Sequence, residues 1–190
     1  MPSEVLVEKK KLKQPPLEIH YLGDRVLRQS TKRVTKIDDQ LRQLVREMLQ
    51  TMYSADGVGL AAPQVGMHKQ LIVVDCDPEE PANPPLVLIN PIIKQASPEL
   101  ELGMEGCLSI PNVFLEVRRS LAIEVSYKDE QGRPRTLQAK DFLARAIQHE
   151  MDHLHGVMFV DRVENTLMLN QELTKQGFAP QAVQPIAVGV

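Results

Sequence analysis

The segment Ala146–Gly156, AIQHEMDHLHG, limits the fold more than any other stretch of this 190-residue chain. It places His149, Glu150 and His153 among Ala144, Ala146, Ile147, Met151 and Leu154, which are apolar over much of a helical surface. A helix of that kind belongs inside a fold, and buried imidazoles and carboxylates need partners there. Residues i and i+4 on a helix differ by about 40° of rotation and one turn of rise. His149 and His153 therefore present two imidazoles to one point. Glu150 lies about 100° from His149, close to that point yet free to act as a general base. The pattern predicts a buried helix, Phe142–His155, capped by Asp141, ended by Gly156 and gripping a metal.

A catalytic metal usually takes three protein ligands and one open position. A third histidine of the H-E-x-x-H-x-x-G-x-x-H type is excluded, because Phe159 stands where it would be required. Glu172 is one candidate, 19 residues beyond His153 (172 − 153), and would make a zinc endopeptidase or aminopeptidase. Cys107 is the other, 42 residues before His149 (149 − 107), in EGCLSIP. There Gly106 permits an unusual backbone, Pro111 stiffens the exit, and a thiolate suits a soft or borderline metal. His155 is about 200° round the helix from His153 and reads as a surface residue. On the residues alone, Cys107 and Glu172 both stand.

The remainder of the chain must supply a shell for this helix. With 43% hydrophobic residues it is large enough for one domain with its own core. A net charge of −3 gives no nucleic-acid surface, and no direct DNA binding is expected. No apolar run reaches the ~20 residues of a membrane span. There is no signal-like apolar stretch near the N-terminus, and Cys76 and Cys107 alone make no disulfide framework, so a cytoplasmic location is expected. Cys76 reads as a small buried hydrophobe within a strand. Ile37, Leu41, Leu44, Val45, Met48, Leu49 and Met52 form one helical stripe, with Thr35 and Asp38 as a capping box and Gly57 as a stop. Gln70–Cys76 and Pro85–Asn90 read as strands flanking the loop DPEEPANPP. Leu121–Asp129 and Arg133–Asp141 read as a hairpin around Glu130-Gln131-Gly132. Thr166–Gly177 reads as a third helix. Residues 1–16 are expected to be a flexible, solvated arm in which Lys9, Lys10, Lys11 and Lys13 cluster; contact with a polyanion such as ribosomal RNA is the sharper alternative. Residues 178–190 are expected to lie over the surface or be disordered. The predicted architecture is a single α+β domain over residues 17–177, its antiparallel sheets packed around the central HExxH helix, with one N-terminal and one C-terminal helix.

GVGLAAPQVG (57–66) is too short of G-K-[ST] to be a phosphate loop. Its Gly57 and Gly59 would let a substrate backbone approach and pair like a strand, and Val58, Ile147 and the stem of Glu105 could line an apolar pocket. This segment, EGCLSIP (105–111) and QHEMDHLHG (148–156), in that order and with LGDRVLRQ (22–29) ahead of them, together resemble peptide deformylase, from about Leu17 to Asn170. The resemblance implies Cys107, His149 and His153 as ligands of Fe2+, with Zn2+, Ni2+ or Co2+ able to substitute. Zinc wins on raw affinity. It implies that formyl-methionyl nascent peptides are the substrate, that formate and a free amine are the products, and that ribosome contact would be transient. Glu150 would take a proton from a metal-activated water and return it to the leaving amine. The Gln64 side-chain amide and the Leu108 backbone N–H would stabilise the developing oxyanion. Arg119 and Asp152 would form an ionic support behind the site. Two positions depart from the family pattern: Phe114 stands where many relatives carry Arg, and Ala146 where Cys or Val is common, a change expected to affect packing only. The tail does not resemble the basic ribosome-docking helix of some bacterial relatives.

Overall fold

In the computed structural model, residues 7–187 are described. Helix α1 (Asp39–Ser54) forms where the stripe predicts it. Leu41, Leu44, Val45, Met48, Leu49 and Met52 are all buried, because residues three and four apart share one face. Asp38 is the cap, accepting from the Leu41 N–H at 3.0 Å. The helix is stopped not by Gly57 but by Asp56, which takes the left-handed position at φ 58°. Gly57 follows, its N–H donating to Met52 O at 2.9 Å.

Seven strands follow: β1 (Gly59–Ala61), β2 (Leu71–Val74), β3 (Leu86–Ala96), β4 (Leu100–Cys107), β5 (Ile110–Ser120), β6 (Ala122–Lys128) and β7 (Pro134–Lys140). They make two antiparallel sheets, β1-β2-β3-β6-β7 and the hairpin β4-β5. Strand β2 reads LIVV without alternation because both of its faces are covered. Leu71 and Val73 join α1 in one apolar cluster, and Ile72 and Val74 join α2 (Asp141–His153) in another. A third cluster joins β5 (Val113, Leu115, Val117) to Phe159 and to Leu169 and Leu173 of α3 (Thr166–Lys175). Among the described residues, the class is α+β with antiparallel sheets and three α-helices.

The structure departs from the sequence reading at several points. Strand β3 does not end at Asn90. Asn90 sits at φ 53° within a register shift, its amide bonded to both backbone groups of Val34, and the strand continues to Ala96. The hairpin β4-β5 has no counterpart in the sequence reading. Cys107 pairs with Ile110, which puts Leu108 and Ser109 at its tip. Asp141 makes no side-chain cap on α2; it is the first helical residue, at φ 54°. From residue 7 onward the expected solvated arm is tethered, because the Lys9 ammonium is buried against Asp75. The tail lies over the surface as far as Ala187, with Ile186 N–H donating to Asp161 O. Expectations for residues 1–6 and 188–190 fall outside the described residues. Among the described residues, no helix is long and apolar enough to cross a membrane.

Candidate metal centre

Two pieces of chain meet at one point. Helix α2 brings His149 and His153, one turn apart and both buried. Hairpin β4-β5 brings Cys107 at its closing pair. One ligand atom from each of these three residues lies within 4.8 Å of the others, and Cys107 Sγ is 3.5 Å from His153 Nε2. Glu172, on α3, is not part of this cluster. His155 is exposed.

The histidine orientation is set from behind. His149 Nδ1 lies 2.8 Å from Glu105 Oε1, which makes Nδ1 the donor and leaves the Nε2 lone pair for the cluster. Phe159 stacks on the His149 ring at 5.8 Å between centroids. Glu105 is itself gripped. Arg119 Nε and Nη2 each donate to it at 2.9 Å, and Arg145 Nη1 donates at 2.8 Å. Arg119 continues to Asp152 at 2.5 Å, and Arg162 Nε reaches the same carboxylate at 2.7 Å. Burial opposes the Glu105 charge, yet Arg119 and His149 together hold its carboxyl well below the usual carboxylate range.

Gln64 is also pre-set. Its Oε1 accepts from the Ala61 N–H at 2.8 Å, which turns its Nε2 toward Ser109 Oγ at 3.1 Å and Cys107 Sγ at 3.5 Å. Glu150 Oε1 is 4.0 Å from His149 Nε2. Its other oxygen is buried without a hydrogen-bond partner among the described residues. Burial pushes the Glu150 carboxyl up to about 7, with the His149 charge pulling the other way. Burial also opposes a charge on His149, but hydrogen bonds to Cys107 and Glu105 raise it; His153, desolvated beside His149, is lowered.

A divalent metal fits this arrangement. One sulfur and two imidazoles converge, and the buried carboxylate next to them keeps an oxygen free. Two of the donors, Cys107 and His149, face a cavity of about 640 Å³. Gly57, Val58, Gly59, Glu105, Leu108 and Glu150 line it, and the exposed rings of Tyr21, Phe114 and Phe142 border it. Ile147 does not line it. That residue is fully buried in the cluster facing the sheet, and Ala146, about 100° away on the helix, faces the cavity instead. The change at Ala146 therefore bears on the cavity wall as well as on packing. A cleft of about 700 Å³ behind α2 is as large but holds none of the three donors. Chemistry, not volume, identifies the site.

Three supporting residues escaped the sequence reading. Arg145 lies four residues before His149 and so on the same helical face, but a single cation in a helix carries no local sign of burial. Ser109 and Phe159 carried no local signal, because their partners come from distant segments.

Comparison with known proteins agrees with the geometry. The profile of the polypeptide deformylase family matches residues 16–167. A peptide deformylase of Microchaete diplosiphon is 70% identical over 187 residues, covering 98% of this chain and 100% of that protein. The crystal structure of a peptide deformylase from Synechococcus elongatus in complex with actinonin superposes with a TM-score of 0.94 at 66% identity, covering 95% of this chain and 98% of that one. The peptide deformylase of Thermotoga maritima gives a TM-score of 0.74 at 43% identity, over 78% and 97% of the two chains. A profile spanning most of the sequence, relatives matched along their whole length and a shared fold leave one assignment: the chain belongs to the peptide deformylase family.

Proposed function

We infer that this chain removes the N-formyl group from the formyl-methionine at the start of newly made proteins, releasing formate. One observation carries the reading: Cys107 and the two α2 histidines converge beside a buried carboxylate at the wall of a peptide-sized cavity. An endopeptidase built on Glu172 lacks this support, because that residue is not in the cluster.

Cys107 Sγ and the Nε2 atoms of His149 and His153 would hold the metal, and α2 would serve as the central catalytic helix. When bound, the metal supplies Lewis acidity, acidifying water and polarising a carbonyl. Every other task falls to the chain. Glu150, with a proton affinity near neutrality, takes the water proton and returns it to the departing amine. Gln64 Nε2, turned toward Cys107 by Ala61, and the Leu108 N–H at the hairpin tip are preorganised donors for the oxygen of the formyl group as it gains charge. Among the described residues, strand β1 pairs only with β2, and β4 only with β5. Gly57–Gly59 and Met104–Gly106, at those two unpaired edges, line the same cavity. An extended peptide lying between them is bound by its main chain, which tolerates many downstream sequences. Val58, Leu108 and the stem of Glu105 then enclose the methionine side chain.

Fe2+ is the proposed metal, with Zn2+, Ni2+ or Co2+ as replacements. Work in the cytoplasm, with transient ribosome contact, completes the proposal. The test is formate release from formyl-Met and acetyl-Met peptides by protein prepared anaerobically with Fe2+. The extra methyl should cost at least about 10- to 200-fold. Equal rates on the two substrates would sink the reading.

A further inference from the structure

We propose that Lys9 is a positioning residue for peptide binding, its ammonium filling a cation cradle that braces the substrate-facing segment Gly57–Gly59 from behind. This rests on the deformylase reading of the site and adds a residue that no motif marks.

The Lys9 side chain is only 7% exposed, and that of its partner Asp75 only 3%. The ammonium lies 2.8 Å from Asp75 Oδ2. It also donates to the backbone oxygens of Asp77, Glu80 and Asn83, at 3.1, 2.8 and 2.6 Å. An ammonium has three N–H donors and no acceptor, so these four oxygens saturate it. The loop is folded to aim them inward: Asn83 Nδ2 donates to Asp77 Oδ2 at 2.8 Å, and the Ala82 N–H donates to Glu80 Oε1 at 3.0 Å. Three carbonyls and a carboxylate around one point form a site for a monovalent cation. Here the chain supplies the cation itself.

The cradle reaches the active site through Asp75. Its N–H donates to Val58 O at 2.8 Å. The oxygen that faces Lys9 also accepts from the Tyr53 hydroxyl at 2.6 Å, in the last turn of α1. Val58 lines the substrate cavity. Further anchors hold the arm at the end of α1 and just beyond it: the Leu12 N–H to Ser54 Oγ at 3.0 Å, and Lys11 to Asp56 at 2.5 Å. Without the ammonium, Asp75 is a buried carboxylate lacking its countercharge and must shift or hydrate. The segment bonded to it moves as well. That segment binds the peptide main chain and carries no reacting group, so the loss falls on substrate binding.

The experiment uses the full-length metal-loaded enzyme, Lys9→Ala, and propylammonium, which replaces the excised atoms. Lys9→Ala should raise KM for a formyl-Met peptide by about tenfold, as expected of a coupling remote from the ligand. kcat should stay within about twofold. Propylammonium should restore KM saturably and raise the melting temperature, while uncharged, similarly sized 1-propanol at equal concentration should do neither. An unchanged KM, a fall in kcat alone, or a raised KM indifferent to propylammonium would each overturn the proposal. If Lys9→Ala does not fold unaided, refolding with and without propylammonium decides: recovery only with the amine supports the cradle, and equal recovery refutes it. The melting measurement needs no substrate, so a wild-type protein unable to release formate would count against the deformylase reading and leave the cradle to its own test.

Discussion

Replacing Glu105 by Gln should damage the protein twice, in stability and in metal retention. The carboxylate receives two donors from Arg119, one from Arg145 and one from His149, all in the interior. Glutamine has nearly the same shape but no charge, and its amide nitrogen would face a guanidinium. Removing one partner of a buried ion pair costs about 3–5 kcal/mol, because the other charge stays behind. Against a total of roughly 5–15 kcal/mol this is a large fraction, so the urea midpoint should fall markedly at unchanged slope. The His149 tautomer would also lose its charged anchor, and loss of such a support lowers metal affinity by about 10–100-fold. The pH dependence gives a further check. The folded Glu105 carboxyl lies below its ordinary value of 4.5, so its contribution is full above that value and is lost as pH falls below it. Wild type should thus show an acid limb in stability that Glu105→Gln flattens. Urea melts from pH 3 to pH 8 with and without a competing chelator measure all three effects. A variant with wild-type midpoint and metal retention would refute the account of Glu105 as the keystone.

Other consequences are as direct. Glu150→Gln should lower turnover by about 10²–10⁴ while metal content, read by elemental analysis, stays at one per chain; near-normal turnover would remove Glu150 from the chemistry. As the proposed base, Glu150 would work only when ionised, and burial pushes its carboxyl up to about 7, so kcat/KM should climb as pH rises toward neutrality. The charge of a bound metal moves that limb lower, and a rate falling over the same range would contradict the assignment. Gly59→Ala would set a Cβ 2.4 Å from Glu150 Oε1; the misplaced base should cost about 10²-fold in kcat with the melting temperature little changed. Fe2+ enzyme made without oxygen should outpace the zinc form several-fold and decay in air, since a thiolate beside iron is open to oxidation; equal turnover and equal survival would argue for zinc.

How much of this was legible in the sequence depends on how local the cause is. The α1 stripe, the β6-β7 hairpin and α3 are visible because their periodicity and turn residues lie within one window. The HExxH helix declares itself for the same reason. Strand β4 stays hidden: LELGMEGC breaks its alternation with Gly103 and Gly106, and its first residues are exposed on both faces. Its partner β5 alternates more clearly, IPNVFLEVRRS, but alternation in one strand does not name the strand it pairs with. Choosing Cys107 over Glu172 needed the family resemblance, because the contact between hairpin and helix spans 42 residues (149 − 107) that no local rule connects. The Lys9 anchor is concealed for the opposite reason. A lysine cluster near a terminus looks solvated, and only the fold shows one member turned inward.

The division of the three donors between a hairpin and a helix has a mechanical consequence. A metal shared by Cys107 and His149 would be a clasp closing a loop of about 40 residues, and in the chain-entropy description such a clasp would withhold roughly 4 kcal/mol of disorder from the unfolded chain. Strands β5, β6 and β7 all lie inside that loop. Oxidation of Cys107 would open the clasp and disable the chemistry in a single event. Amide exchange in β5, followed while the enzyme stands in air, should therefore quicken in step with the loss of activity, the two sharing one rate constant.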